Sequence, residues 1–452
     1  MSTTQHLAQF LGDTTFEDLP SQVVDNTKLA IVDTIASALA GDNAPSVHTL
    51  RKLALDRGGK AESTLWGNCQ GKVPTSSAAW VNGVLTDAMA FNESHSPTIA
   101  HLCGAILPAT TAVAERDRVT GKRLILAVAL GYEAAGRIGK SISPDYMYGL
   151  GFHNAIVTIF GAAVGVGKIL GLSKEPMTHA IALAATSGAG LAGSRKTAAR
   201  QYHGGNAAMQ GLNAAILAEM GYLGLDTILE HPEGYCNAFS RSATPGNIVT
   251  NLGTSWEIVT DLAPKLMPGS HGIHTVVEAT LNAFHSGKID IKEITKIIVS
   301  GPQWKQGYAL YSPRNLAEAS HSIPYFVART LLDGKLGWDA LNSANIEDPA
   351  IEPVQKLVEV VADPKQQPYE YPGAATVSIL TVDKQTFSYT VNHAIGTPER
   401  GYSWQQIQDK YVTLSPFRNT QPERIKEGFD LLCHLEEITD VTQLIPFLNN
   451  TQ

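Results

Sequence analysis

Five short stretches of this 452-residue chain gather the side chains that acid–base and anion-binding chemistry needs. The first runs Asn92-Glu93-Ser94-His95 and continues to His101-Leu102-Cys103-Gly104. Two imidazoles and a carboxylate six to eight residues apart can give and take protons near neutrality. The second, Gly151-Phe152-His153-Asn154, leads into a helical pattern, where unsatisfied N–H groups and the positive helix end favour a carboxylate. The third holds Arg195, Lys196, Arg200 and then His203-Gly204-Gly205-Asn206. Its arginine can grip a carboxylate bidentately, and its glycines would let backbone approach an anion. The fourth runs from Lys265 through Ser270 and His271 to His274, and the fifth spans Tyr308 to Tyr325 with Tyr311, Arg314 and His321. Each stretch also has an ordinary structural reading, as caps, connectors, a surface basic patch or core histidines. Their shared excess of cations and imidazoles over acids points to a small anionic ligand.

The familiar fingerprints fail. Gly161, Gly165 and Gly167 lie inside a helical run with no preceding strand, and Gly167-Lys168 is followed by Ile169, not Ser or Thr. They read as helix-packing glycines. Neither a GxSxG elbow nor an HExxH pair occurs. Cys69, Cys103, Cys236 and Cys433 are widely spaced and read as reduced thiols. With no His, Cys and acid set at metal-ligand spacing, no metal is expected.

The elements that must position these groups are mostly helical. Residues 1–264 carry Ala-, Leu- and Gly-rich helical patterns over Ser21–Ala40, Ala78–Ala90, Leu124–Ile138, His153–Leu170, Pro176–Ser187 and Ala207–Met220. Several are apolar nearly all round, as buried helices are. After Lys265 the pattern changes. Glu293–Ser300 has the β-branched density of a buried strand, and Ala374–Thr381 and Gln385–Val391 alternate around a hairpin turn at Val382-Asp383-Lys384. Helical segments are expected over Ser320–Leu332 and Ile351–Val361. The expected fold is therefore mainly α: a large helical domain (1–264), an inserted smaller α+β lid domain (265–397), and C-terminal helices (398–452) returning to the first domain. A length of 452 residues fits two domains. A charged fraction of only 17% fits extensive burial or an interface, and a net charge of −8 with no basic stripe argues against a nucleic-acid partner. No signal peptide or membrane span is evident, so a cytoplasmic protein is expected.

At this point the ordered strings resemble the MmgE/PrpD family. They are Ala90-Phe-Asn-Glu-Ser-His95, His101-Leu-Cys-Gly-Ala-Ile-Leu-Pro108, Gly151-Phe-His-Asn154, Tyr202-His-Gly-Gly-Asn-Ala-Ala208, Lys265-Leu-Met-Pro268, Ser320-His-Ser-Ile-Pro-Tyr325, Leu331-Leu-Asp-Gly334 and Gly396-Thr-Pro398. The resemblance implies a homodimer with no required cofactor, acting on a small polycarboxylate. It implies a 2-methylcitrate dehydratase-like hydro-lyase first, with decarboxylation or epimerisation as alternatives and a non-catalytic carboxylate-binding protein as a remote one. His101, His153, Lys265 and Tyr311 resemble family active-site residues; His271 joins them as a possible proton partner. Glu93, Ser94, His95, Arg200, His203 and Ser270 fall in the implied substrate-binding set. The chain departs from the family at Ala90-Phe-Asn-Glu, where an acidic DFDD-like string is usual, at Arg200 for a lysine, at Ser270 for a histidine, and at Asn154 for a proline.

Overall fold

The computed structural model describes residues 1–69, 71–287, 289–415 and 421–449. The chain divides into two units: Met1–Ala88, Asn92–Pro264 and Ser403–Gln452 form the first, and Met89–Phe91 with Lys265–Tyr402 the second. The molecule is mainly α, with its main sheet confined to the second unit.

In the first unit, side-chain caps and helix breakers set the helix ends. Ser2 opens α1 (Thr3–Asp13) with a reciprocal capping box to Gln5. α2 (Ser21–Ala40) stops at Gly41, and α3 (Pro45–Arg57) starts with proline at its first position. There follow α4 (Thr75–Asp87), α5 (Leu102–Asp117), α6 (Gly121–Ile142), α7 (Ala155–Leu170), α8 (Lys174–Ser187) and α9 (Ala199–Glu219). α7 is buried along nearly its whole length and ends at Gly171, whose φ of +76° suits the left-handed cap. The glycines inside these helices are contact points. A Cβ on Gly161 would lie 2.6 Å from Ile106 Cγ1, and one on Gly165 would lie 2.6 Å from Thr110 Cγ2. Removing side chains there lets α5 and α7 approach closely and fill the core with Ala, Ile and Val.

The expected loop at Arg200–Asn206 is a correction. α9 begins at Ala199, so Gly204 and Gly205 are helical and form no anion nest. A Cβ on Gly205 would sit 2.5 Å from the Trp80 carbonyl oxygen, so the glycine serves the packing of α9 on α4. Close packing with a neighbouring helix outweighed the poor helix propensity of a glycine pair.

In the second unit, α10 (His271–Gly287) packs on a four-stranded sheet of β3 (Ile294–Gly301), β4 (Val358–Ala362), β5 (Ala375–Thr381) and β6 (Thr386–Val391), in the order β4-β3-β5-β6. Two two-stranded sheets fall in the first unit: Ser63–Thr64 pairs antiparallel with Lys72–Val73, and β1 (Ser94–His95) pairs antiparallel with β2 (Leu262–Ala263). β3 runs parallel to β4 (Ile297 opposite Val358) and antiparallel to β5 (Val299 opposite Val377). β5 alternates buried and half-buried residues, as a strand with one covered face does. The expected helix over Ile351–Val361 is also corrected: it ends at Gln355, and the Val-rich Val358–Ala362 pairs as a strand. α11 spans Ile323–Asp333 with Ser322 as its cap. Two C-terminal helices, α12 (Trp404–Leu414) and α13 (Pro422–Cys433), belong to the first unit. No helix among the described residues is long and apolar enough to cross a membrane.

Candidate active site

The polar loop between α4 and α5 is the centre of the site in the first unit. Ser94 and His95 form β1, so the loop is clamped on β2. Two residues flanking or within it, Ala90 (φ 58°) and Ile99 (φ 57°), adopt left-handed backbone. For a β-branched residue such as Ile99 that geometry costs about 1–2 kcal/mol, which surrounding contacts must hold. Those contacts are visible: Asn154 Nδ2 donates to the Ile99 carbonyl at 3.1 Å, and the Tyr146 hydroxyl donates to that of Thr98.

His101 is the N-terminal cap residue of α5. Its Nδ1 lies 2.6 Å from the Glu93 carbonyl oxygen. A carbonyl only accepts, so Nδ1 carries the proton, and the neutral ring keeps its basic lone pair on Nε2. The Glu93 carboxylate accepts from the Cys103 N–H at 2.6 Å, where the first turn of α5 favours negative charge. Glu93 is thus a fully buried cap of α5.

A cavity of about 10 Å³, room for roughly one water molecule, is lined by Asp87, Asn92, His101, Gly104, His153 and Asn154, among others. Asn92 is fully buried, yet neither polar atom of its side chain finds a hydrogen-bond partner among the described residues; the Ser94 hydroxyl is in the same position. A buried polar group left so costs about 1–3 kcal/mol, which a polar ligand would offset. The His153 and His203 rings lie 4.9 Å apart between centroids, tilted by 55°. Gly190 makes room for both: a Cβ there would lie 3.2 Å from His153 Cβ and 3.3 Å from the His203 ring. Burial, followed by the Arg200 charge, lowers the pKa of His203 and favours its neutral form.

Arg200 is not presented for gripping a ligand. Its guanidinium donates to Asp87 Oδ1 at 3.0 Å and to the Asp87 carbonyl at 2.7 Å, tying the start of α9 to the end of α4. His95 is likewise committed. It is fully buried, with Nε2 2.9 Å from Glu257 Oε2 and Nδ1 2.9 Å from Thr98 Oγ1. Lys140 Nζ joins this network 3.1 Å from both Glu257 and Asp261. Burial pushes the Glu257 carboxyl up, but the His95 hydrogen bond and charge, together with Lys140, outweigh it and bring its pKa to about 2. His95, Glu257 and Asp261 come close enough to ligate a cation, although no local spacing announced them. The Lys140 ammonium already in contact with both acids makes them an ion-pair network. A larger cavity of about 480 Å³ opens beside Lys140 and Glu257, but Arg137 in its wall is spent on Glu133 and on backbone carbonyls.

The second unit carries its own group. Lys265 is buried, and its Nζ donates to the Ala90 carbonyl at 2.7 Å, where the left-handed residue turns that oxygen. Ser270, His271 and His274 sit at the start of α10, the two imidazole rings 4.8 Å apart. Sequence reasoning missed Lys305, which is fully buried and anchors this turn by donating to the Gly272 and Pro372 carbonyls and to Thr275 Oγ1. Burial lowers its pKa to about 7. Tyr311 goes elsewhere: its hydroxyl donates to the Val358 carbonyl at 2.7 Å, and 44% of its surface is exposed. His321 is held by Ser320 and the Ala317 carbonyl beside Tyr308.

Residues 5–247 match the MmgE/PrpD N-terminal domain, and residues 267–432 match the MmgE/PrpD C-terminal domain. The chain belongs to the MmgE/PrpD family. It is accordingly an enzyme of lyase type. Relatives in the family include cis-aconitate decarboxylase of Homo sapiens, 25% identical over 458 residues that cover 99% of this chain and 94% of the relative. Cis-aconitate decarboxylase of Aspergillus terreus is 26% identical over 480 residues, 99% of this chain and 96% of the relative. A cis-aconitate decarboxylase-like protein of Aspergillus oryzae is 27% identical over 302 residues, 62% of this chain and 61% of the relative.

Proposed function

We propose that this chain catalyses the loss of CO2 from a small unsaturated di- or tricarboxylate, with no metal or organic cofactor. The observation that carries the reading is His101, its Nδ1 proton locked on the Glu93 carbonyl, lining one cavity with His153 and the unsatisfied Asn92 amide. The names of the family relatives agree with it. In the reaction the C–C bond to one carboxylate breaks and CO2 leaves. The electron pair spreads over the neighbouring double bond and carboxylate. His101, having taken a proton from solvent on Nε2, then gives it to carbon and returns to the neutral ring. Hydrogen-bonding and imidazole groups of the first unit stabilise the enolate-like charge, a role we assign to His153, Ser94 and His203. Arg200 acts through Asp87.

Decarboxylation needs only a proton for carbon, with no hydroxide to protonate as it departs. That suits a motif in which Ala90 and Asn92 offer no acid and the Glu93 carboxylate caps α5. A second reading, dehydration of a hydroxy-tricarboxylate, is favoured by the presence of two imidazoles, which can serve as base and acid. Proton NMR in D2O with cis-aconitate, citrate, 2-methylcitrate and iminodisuccinate separates them. Loss of a carboxylate with deuterium at carbon is the expected result. A new olefin from citrate or 2-methylcitrate would instead mean dehydration, and exchange without net product would mean epimerisation. His101→Ala should lower turnover by about 100-fold or more, and a loss below about tenfold would remove His101 from the reaction. The assembly is expected to be a homodimer, which analytical ultracentrifugation measures directly.

A further inference from the structure

Behind the loop that carries Glu93 lies a chain of buried charge that the reaction scheme above does not use. Asp33, in the middle of α2, and Lys410, in α12, are 377 residues apart in sequence. Their side chains meet with Lys410 Nζ 2.6 Å from Asp33 Oδ1, the two being 1% and 0% exposed. The other oxygen, Asp33 Oδ2, accepts the Glu93 backbone N–H at 2.8 Å. Glu93 in turn accepts His101 Nδ1–H on its carbonyl and the Cys103 N–H on its carboxylate, both at 2.6 Å. Three hydrogen bonds therefore run from α12 to the imidazole, and a fourth ties the Glu93 carboxylate to the start of α5.

A buried ion pair of this kind is poor value as a source of stability. Desolvating two charges costs several kcal/mol, and apolar replacements of similar volume are often no less stable. Burial opposes the charged form of Lys410, while Asp33 and Glu93 favour it. What the pair does supply is direction. The carboxylate can aim one oxygen at Glu93 N–H only while the ammonium fixes the other. The Glu93 peptide units on either side are then set for His101.

We propose that Asp33 and Lys410 are positioning residues for His101, holding its Nδ1-protonated form and the aim of its Nε2. The consequence for turnover rests on His101 being the acid–base group proposed above; the consequence for its tautomer does not.

The test uses the full chain with ¹⁵N-labelled histidine, the His101 signals being identified by their loss in His101→Gln. Lys410→Met should shift the His101 pattern away from the Nδ1-protonated form. It should also lower kcat by roughly tenfold to 10²-fold with KM changed little, as misorientation of a reacting group does. Lys410→Arg should recover most of both. The double variant Asp33→Leu/Lys410→Met removes both buried charges, so it is expected to fold even where Lys410→Met does not; it should show the same two changes. A folded double variant whose His101 keeps the wild-type pattern would overturn the proposal. If the pattern shifts while His101→Ala retains full turnover, the positioning stands and the role of His101 in the reaction falls.

Discussion

His95 shows how far a single residue's sequence neighbours can mislead. It stands beside Ser94 in a polar string and reads as part of a substrate site, yet its Nε2 meets Glu257, 162 residues away. The pairing makes an acid-stability prediction. Glu257 has its folded-state pKa depressed from 4.5 to about 2, so it contributes stability that is fully present above pH 4.5 and lost as pH falls towards 2. Thermal melts across that window should show a steep acid limb that Glu257→Gln flattens. An unchanged limb would mean that other carboxylates set it. His101 and His153, which line one small cavity, each precede a helix in the sequence, where a cap position and a polar side chain coincide. Asp33, Asp87, Lys305 and Lys410 gave no such sign, since each reads locally as an ordinary helix or turn residue. Only tertiary contact gives them partners.

Among the elements, α2 was read with the ends it has, because its apolar period and its terminal Gly41 agree. α9 was read too short, and Ile351–Val361 was read as all helix. Both errors came from local propensity: glycines argued against helix where a neighbouring backbone demanded them, and a Val-rich segment found a strand partner in β3. The α4–α9 contact carries a prediction of its own. Gly205→Ala would place a methyl 2.5 Å from the Trp80 carbonyl oxygen and 2.6 Å from Val84 Cγ2. The gain in helix propensity, about 1 kcal/mol, is smaller than the overpacking it causes, about 1–3 kcal/mol. The variant should melt at lower temperature, and since α9 also carries Arg200 and His203, turnover should fall with it. A variant as stable as the parent would show that the helices can move apart at no cost.

Across the whole molecule, the chain clusters into two units, the second comprising Met89–Phe91 and Lys265–Tyr402, and in the sequence the hydrophobic period changes after Lys265. The three residues Met89–Phe91, which cluster with the second unit, carried no such signal. Each unit buries its own apolar residues, so calorimetric unfolding should give an enthalpy exceeding the van't Hoff value, as chains with more than one core do. A ratio of one would mean a single cooperative block. The first unit is also split in the sequence, which bears on how it is made. Its α2 leaves the ribosome with Asp33 in place, but Lys410 follows 377 residues later. At about 5–20 residues per second that is a wait of roughly 20–75 s. For that interval the helical unit lacks α12 and the Lys410 ammonium that meets Asp33 in the finished fold. A nascent chain paused before Ser403 should therefore be bound by chaperones and cut by proteases at α2, and should lose both liabilities within a turn or two of helix once Lys410 emerges.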